Sequence, residues 1–190
     1  SLPAAPASTV ALVLLLGGEI FIGVAVGMTT RLMIAGLQIA GTIIAYHSGM
    51  STATMFDPTA GQQGAVIGAF LTTLGVTLLF VTNLHEMLIT AIVDSYAALP
   101  PAGPLPTGDL ADVVTRLVAT SFEVGLKIAM PAVTIALLIL VAMGVMARLM
   151  PQVQIFFVAL PVQVAAGMLV LALSLGTGMV VFLDSFTESI

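Results

Sequence analysis

The chain has no cysteine and no tryptophan, and only four lysines and arginines stand against nine aspartates and glutamates. Without cysteine there are no disulfides and no thiolate metal sites, and the redox compartment is left open. A formal net charge of −5 with no basic stripe argues against a nucleic-acid partner. Charge of either sign is scarce: 7% of the 190 residues, against about 25% in soluble domains. In its place stands apolar side chain, 59% of the residues, with a mean hydropathy of +1.22. A soluble fold could not hide that much apolar surface, because much of any folded protein's area faces its surroundings. Those surroundings are therefore lipid, other apolar proteins, or both.

The few charges punctuate the chain. None falls between Arg31 and Asp57, between Asp57 and Glu86, or between Arg148 and Asp184. Each of these tracts exceeds the about 20 residues a spanning helix needs. A fourth apolar stretch, residues 10–28, carries Glu19 in its middle. The pattern predicts an all-α chain of five to seven membrane-type helices with kinked hairpins; the short alternating segments of a barrel are missing. The start "SLPAAPAS" has no charged n-region and is not a signal peptide. A chain beginning at Ser1 reads as a fragment or processed form whose upstream residues are missing.

Proline and glycine mark the breaks. Residues 99–109, "LPPAGPLPTGD", hold four prolines and two glycines and read as an extended loop. The whole of 1–190 is taken as one domain, with a sub-division into 1–99 and 110–190 around the loop 100–109. Asp109 reads as a helix N-cap, and Asp57–Pro58 as a second helix start. Pro131, Pro151 and Pro161 interrupt the second half, so that "MPQVQIFFVALPVQ" (150–163) is expected to be bent or re-entrant. Gly23/Gly27 and Gly64/Gly68 have the GxxxG spacing that permits close helix contact, or are merely glycines of apolar helices.

Little chemistry is visible. "LHEML" has Ile89 where a zinc protease needs its second histidine. "YHSG" has Tyr46 in place of a nucleophile-turn glycine. Catalysis demands convergent polar groups that this sequence lacks, and neither a cofactor nor a metal is indicated. The ionisable residues in or near apolar tracts are Glu19, Arg31, His85, Glu86, Asp94, Glu123 and Lys127. Such charges are costly and often functional, so a proton or ion path is the sharp reading. Pairing or interfacial placement is the plainer one. It is favoured for Glu123 and Lys127, four apart in the good order, and no regular ladder of carboxylates supports a relay.

The stretch "MSTATMFDPTAGQQGAV" (50–66) breaks the apolar pattern with small hydroxyl residues, then a thioether and a phenyl ring. Facing water, Met55 and Phe56 would be exposed to no benefit; facing lipid, the loop's amides would be unsatisfied. The composition suits a loop buried in protein or projecting into a narrow pore. Small Ser51, Thr52, Ala53 and Thr54 let the backbone bend, while Met55 and Phe56 fill the lumen and exclude water.

Four blocks carry a resemblance: "RLMIAGLQIAG" (31–41), "GMSTATMFDP" (49–58), "LITAIVDSYAALP" (88–100) and "MPQVQIFFVALPVQ" (150–163). In order and spacing the chain resembles the FliR family of flagellar biosynthesis proteins, over nearly its whole length. The resemblance implies a core subunit of the flagellar type III export gate in the bacterial inner membrane and flagellar basal body. It implies a FliP-like part joined to a FliQ-like hairpin, with one FliR among several copies of FliP and FliQ. FlhB and FlhA of the export apparatus, unfolded flagellar subunits and membrane lipid would be the further partners. Additional residues before Ser1 are implied too. The family's pore plug, carried over by position, would be Ser51, Thr52, Ala53, Thr54, Met55, Phe56 and Asp57. The chain departs from the family pattern at Thr42, at Tyr46–His47–Ser48, and at Thr52 and Met55, which puts more of the plug on Met55 and Phe56. Leu99 stands where injectisome relatives commonly have tryptophan, which favours the flagellar branch. The alternatives are an injectisome gate subunit and a stand-alone secondary transporter. The latter calls for inverted repeats, and the two halves show no convincing self-similarity.

Overall fold

Residues 8–49, 63–98, 107–150 and 155–189 are described in the computed structural model. Among them the chain is entirely built from helices and their short turns, without a strand. The elements are α1 (Thr9–His47), α2 (Gln63–Val81), α3 (Leu84–Ala98), α4 (Thr107–Leu149) and α5 (Ile155–Ser189). Three helices contain stretches long and apolar enough to cross a membrane: Leu15–His47, Asp112–Leu149 and Ala159–Ser189. The α2–α3 pair qualifies only together, bent by 76° at its break. The bend has a local cause. Asn83 adopts a left-handed φ of 59°, a conformation asparagine tolerates, and its carbonyl then accepts the Glu86 amide at 3.1 Å to start α3.

One core serves the bundle. Helix α1 lies against both α2 and α4, and α4 against α5, so the core is continuous across the 100–109 segment. Buried positions recur every three or four residues, as one face of a helix requires: Met33, Leu37, Ala40 and Ile44 on α1, and Val124, Ile128 and Ala132 on α4. Ile67 and Leu71 of α2 and Phe182 and Phe186 of α5 complete it. The tightest crossing is backbone on backbone. A Cβ added to Gly41 of α1 would overlap the Cα and amide nitrogen of Gly68 on α2. Gly68 thus uses its lack of a side chain, whereas Gly23 and Gly27 have nothing of the described residues within 4 Å of such a Cβ. The described part of α1 before Met33 has no buried residue at all, and Val10, Ile20 and Val24 stand bare.

One expectation about proline needs correction. Pro131 and Pro161 do not interrupt the second half; α4 runs through the first and α5 through the second. Each proline removes one amide donor, and a long helix whose hydrogen bonds continue on both sides of the gap tolerates the loss. The bend expected within 150–163 falls at its start, where α4 ends at Leu149 and α5 begins at Ile155, and α5 then runs unbroken through the remainder of that stretch. Pro151 lies outside the described residues. Asp109 is not the residue that starts α4: the helix begins at Thr107, and Asp109 falls in its first turn.

Candidate functional site at the end of the first helix

Ser51, Thr52, Ala53, Thr54, Met55, Phe56, Asp57 and Pro58 lie outside the described residues. The structure does describe the point from which that segment leaves the bundle. The last turn of α1 is deeply packed, with Ile44, Ala45 and Ser48 all below 4% exposed. Helix ends strand their last carbonyls, and a buried end must find them partners. Here the Ser48 amide and hydroxyl both donate to the Ile44 carbonyl, at 2.8 and 2.7 Å. Gly49 takes a φ of +74°, the left-handed turn that ends helices most cheaply in glycine, and its amide reaches the Tyr46 carbonyl at 3.3 Å.

The His47 carbonyl is satisfied from another helix. Gln163 of α5 donates its side-chain amide to it at 2.8 Å, across 116 positions of sequence. A carbonyl oxygen only accepts, so the amide nitrogen is the group that must face it. One turn further along α5, Gly167 receives Ser48: a Cβ at 167 would overlap the Ser48 hydroxyl and lie 2.7 Å from its Cβ. A Cβ at Gly49 would in turn sit 3.3 Å from the Gln163 amide carbon. Gly167→Ala is therefore expected to wedge α1 from α5 and cost about 1–3 kcal/mol, the usual penalty for overpacking. A fall of several degrees in the thermal midpoint of the detergent-solubilised protein would show it.

The ionisable residues do not converge. Glu123 and Lys127 form the pair expected of them, 2.8 Å apart, with both side chains more than half exposed. An exposed pair at this spacing contributes about 0.3–0.5 kcal/mol. Glu19 is half-buried on the bare part of α1, while Arg31 is exposed on that same helix and Glu86 and Asp94 are both exposed on α3. None of these four forms an ion pair among the described residues, and no group of acidic or histidine residues there has metal-binding geometry. His85 sits at the α2–α3 bend with its ring 5.1 Å from that of Phe80. Its Nδ1 is buried and has no hydrogen-bond partner among the described residues. Among the described residues these groups form no relay.

Gln163 and Gly167 had no role in the sequence reading. The fourth block ended at Gln163, and the second began at Gly49. That both ends meet in space is a fact of the fold, and nothing in the spacing announced it.

Comparison with known proteins agrees with these blocks. Residues 1–189 match the family described as bacterial export proteins, family 1. The flagellar biosynthetic protein FliR of Caulobacter vibrioides is 37% identical over 170 residues, covering 90% of this chain and 68% of that protein. FliR of Pectobacterium carotovorum is 34% identical over 171 residues, covering 90% and 65%. The Yop proteins translocation protein T of Yersinia pestis is 24% identical over 164 residues, covering 85% and 63%. The chain thus spans about two thirds of the length of these relatives. With residues 1–189 matched and flagellar relatives above 30% identity, this chain belongs to bacterial export proteins, family 1, the FliR family of the type III export gate.

Proposed function

We propose that the chain is a core subunit of the flagellar protein export gate. It would form, with FliP and FliQ, the channel for flagellar subunits in the bacterial inner membrane at the flagellar basal body, with FlhB and FlhA as further contacts. The observation that carries this reading is the family match over residues 1–189 together with flagellar relatives at 34–37% identity. The structure supports it through apolar surface that one chain leaves bare: Val10 is 71% exposed, Val81 70% and Leu173 77%. Bare apolar area on this scale requires lipid or partner subunits to cover it. The more distant Yersinia relative keeps an injectisome gate as the second reading. Purification of the tagged full-length protein from its host in mild detergent, with mass spectrometry of what is retained, separates the two. Stoichiometric FliP and FliQ establish the flagellar gate, injectisome counterparts establish the other, and an unaccompanied protein overturns both.

Within that gate, Ser51, Thr52, Ala53, Thr54, Met55, Phe56 and Asp57 form the plug. A compact apolar tip stops ions by excluding water and still yields to a passing chain. Deleting Thr52 to Phe56 is expected to leave the assembled complex intact while raising its resting ion conductance severalfold. Unchanged conductance in an assembled gate would remove the plug from the mechanism.

A further inference from the structure

The segment assigned to the plug begins immediately after a joint with more built into it than a helix end requires. Three separate features converge on it: a cross-helix hydrogen bond from Gln163 to the His47 carbonyl at 2.8 Å, a glycine at 167 that admits Ser48, and a left-handed glycine at 49 packed on the Gln163 amide. Water or a local turn could have satisfied a helix-terminal carbonyl at the surface. Here the end of α1 is buried, and a side chain from α5 performs that task instead. The direction in which the chain leaves α1 therefore depends on α5.

We propose that Gln163 is a positioning residue of the gate: by donating to the His47 carbonyl it pins the end of α1 to α5 and sets where the segment 51–57 begins. The inference rests on the reading of 51–57 as the plug. A single hydrogen bond is well suited to the task, since its net worth is small enough to be broken and remade during transport. Its geometry, unlike that of an apolar contact, is specific.

The test uses the full-length protein assembled with its gate partners. Gln163→Met keeps length and volume and removes the donor; retained partners by mass spectrometry confirm assembly. Hydrogen exchange reads the joint itself, independently of the plug: the amides of Ser48 and Gly49 should exchange about fivefold faster in the variant. Ion conductance of the resting gate reads the coupling and should rise severalfold, toward the level of the Thr52-to-Phe56 deletion. In the doubly altered protein, Gln163→Met should add nothing to the deletion, since both act through one element. Gln163→Glu supplies a signature that a packing role would not produce. Its carboxylate cannot donate, whereas the protonated acid can, so its leak should fall on acidification while that of Gln163→Met does not. Unchanged exchange at Ser48 and Gly49 would overturn the joint. Faster exchange with unchanged conductance, in a gate that the deletion makes leaky, would overturn the positioning role and leave the plug standing. A deletion that does not leak would overturn the plug reading, and the positioning role with it.

Discussion

Gly41→Leu is expected to yield a chain that no longer folds as a bundle. Even the first carbon of the new side chain would overlap the Gly68 backbone and stand 2.9 Å from the Ile67 carbonyl carbon. A neighbouring side chain could swing aside, but helix backbone cannot. The two helices would have to separate, opening the contacts that Leu37, Ala40 and Ile44 make in the core with Ile67 and Leu71. Overpacking a core costs about 1–3 kcal/mol where side chains can adjust, and occasionally more. Gly41→Ala should fall inside that range and Gly41→Leu beyond it, a large part of the about 5–15 kcal/mol that holds a typical domain together. Size-exclusion profiles in mild detergent read the outcome: aggregate for leucine, a lowered thermal midpoint for alanine. Gly23→Leu is the control, with nothing of the described residues within 4 Å of its Cβ, and should leave the profile unchanged. A Gly41→Leu protein that elutes and melts like the parent would show that α1 and α2 do not cross there.

Phe182→Ala should be nearly as damaging, by the opposite route. The ring is fully buried, 0% exposed, and lies where three helices meet. It sits 3.3 Å from the position of a Cβ at Gly75 on α2, which Leu37 of α1 also approaches, and its centroid is 5.9 Å from that of Phe186. Removing a buried phenyl group costs about 3–5 kcal/mol, made of lost transfer energy and the cavity left behind. Leu173→Ala on the same helix removes a side chain that is 77% exposed and should shift the midpoint of the isolated chain little. In the assembled gate the contrast should shrink, because partner subunits or lipid would then cover Leu173. A Phe182→Ala protein with an unaltered midpoint would mean that this core is not the one that holds the bundle.

The division between what could be read and what could not follows from the chain's composition. Charge spacing was enough to place apolar helices, because the scarcity of Asp, Glu, Lys and Arg leaves few positions where a span can end. It was not enough to say which face of each helix turns inward. Periodicity identifies a buried face only when the opposite face is polar, and here Val10, Phe80 and Leu173 are as apolar as Leu37 and Phe182. GxxxG spacing was ambiguous for the same reason. Of the two pairs, Gly68 lies at a crossing and Gly23/Gly27 at open surface, a difference that no local pattern encodes. Proline's local cost suggested interruptions that the helices at Pro131 and Pro161 do not show. The helices carry both prolines without a break, since in elements of 43 and 35 residues the backbone hydrogen bonds continue on both sides of one missing donor.

The amino-acid sequence by itself determined the class of molecule: helices without strands, apolar surface that requires covering, no visible catalytic constellation, and four ordered blocks that resemble one family. These are properties of residue type and spacing, and they hold whichever way the helices turn. Only the tertiary structure decided which glycines meet, where α2 and α3 bend, and that Gln163 reaches back across 116 positions to the end of α1. Those outcomes depend on relative rotation and register of helices that are apolar on every side. Energies of that kind are settled by shape, backbone against backbone and one polar side chain against one stranded carbonyl, and shape exists only once the helices have packed.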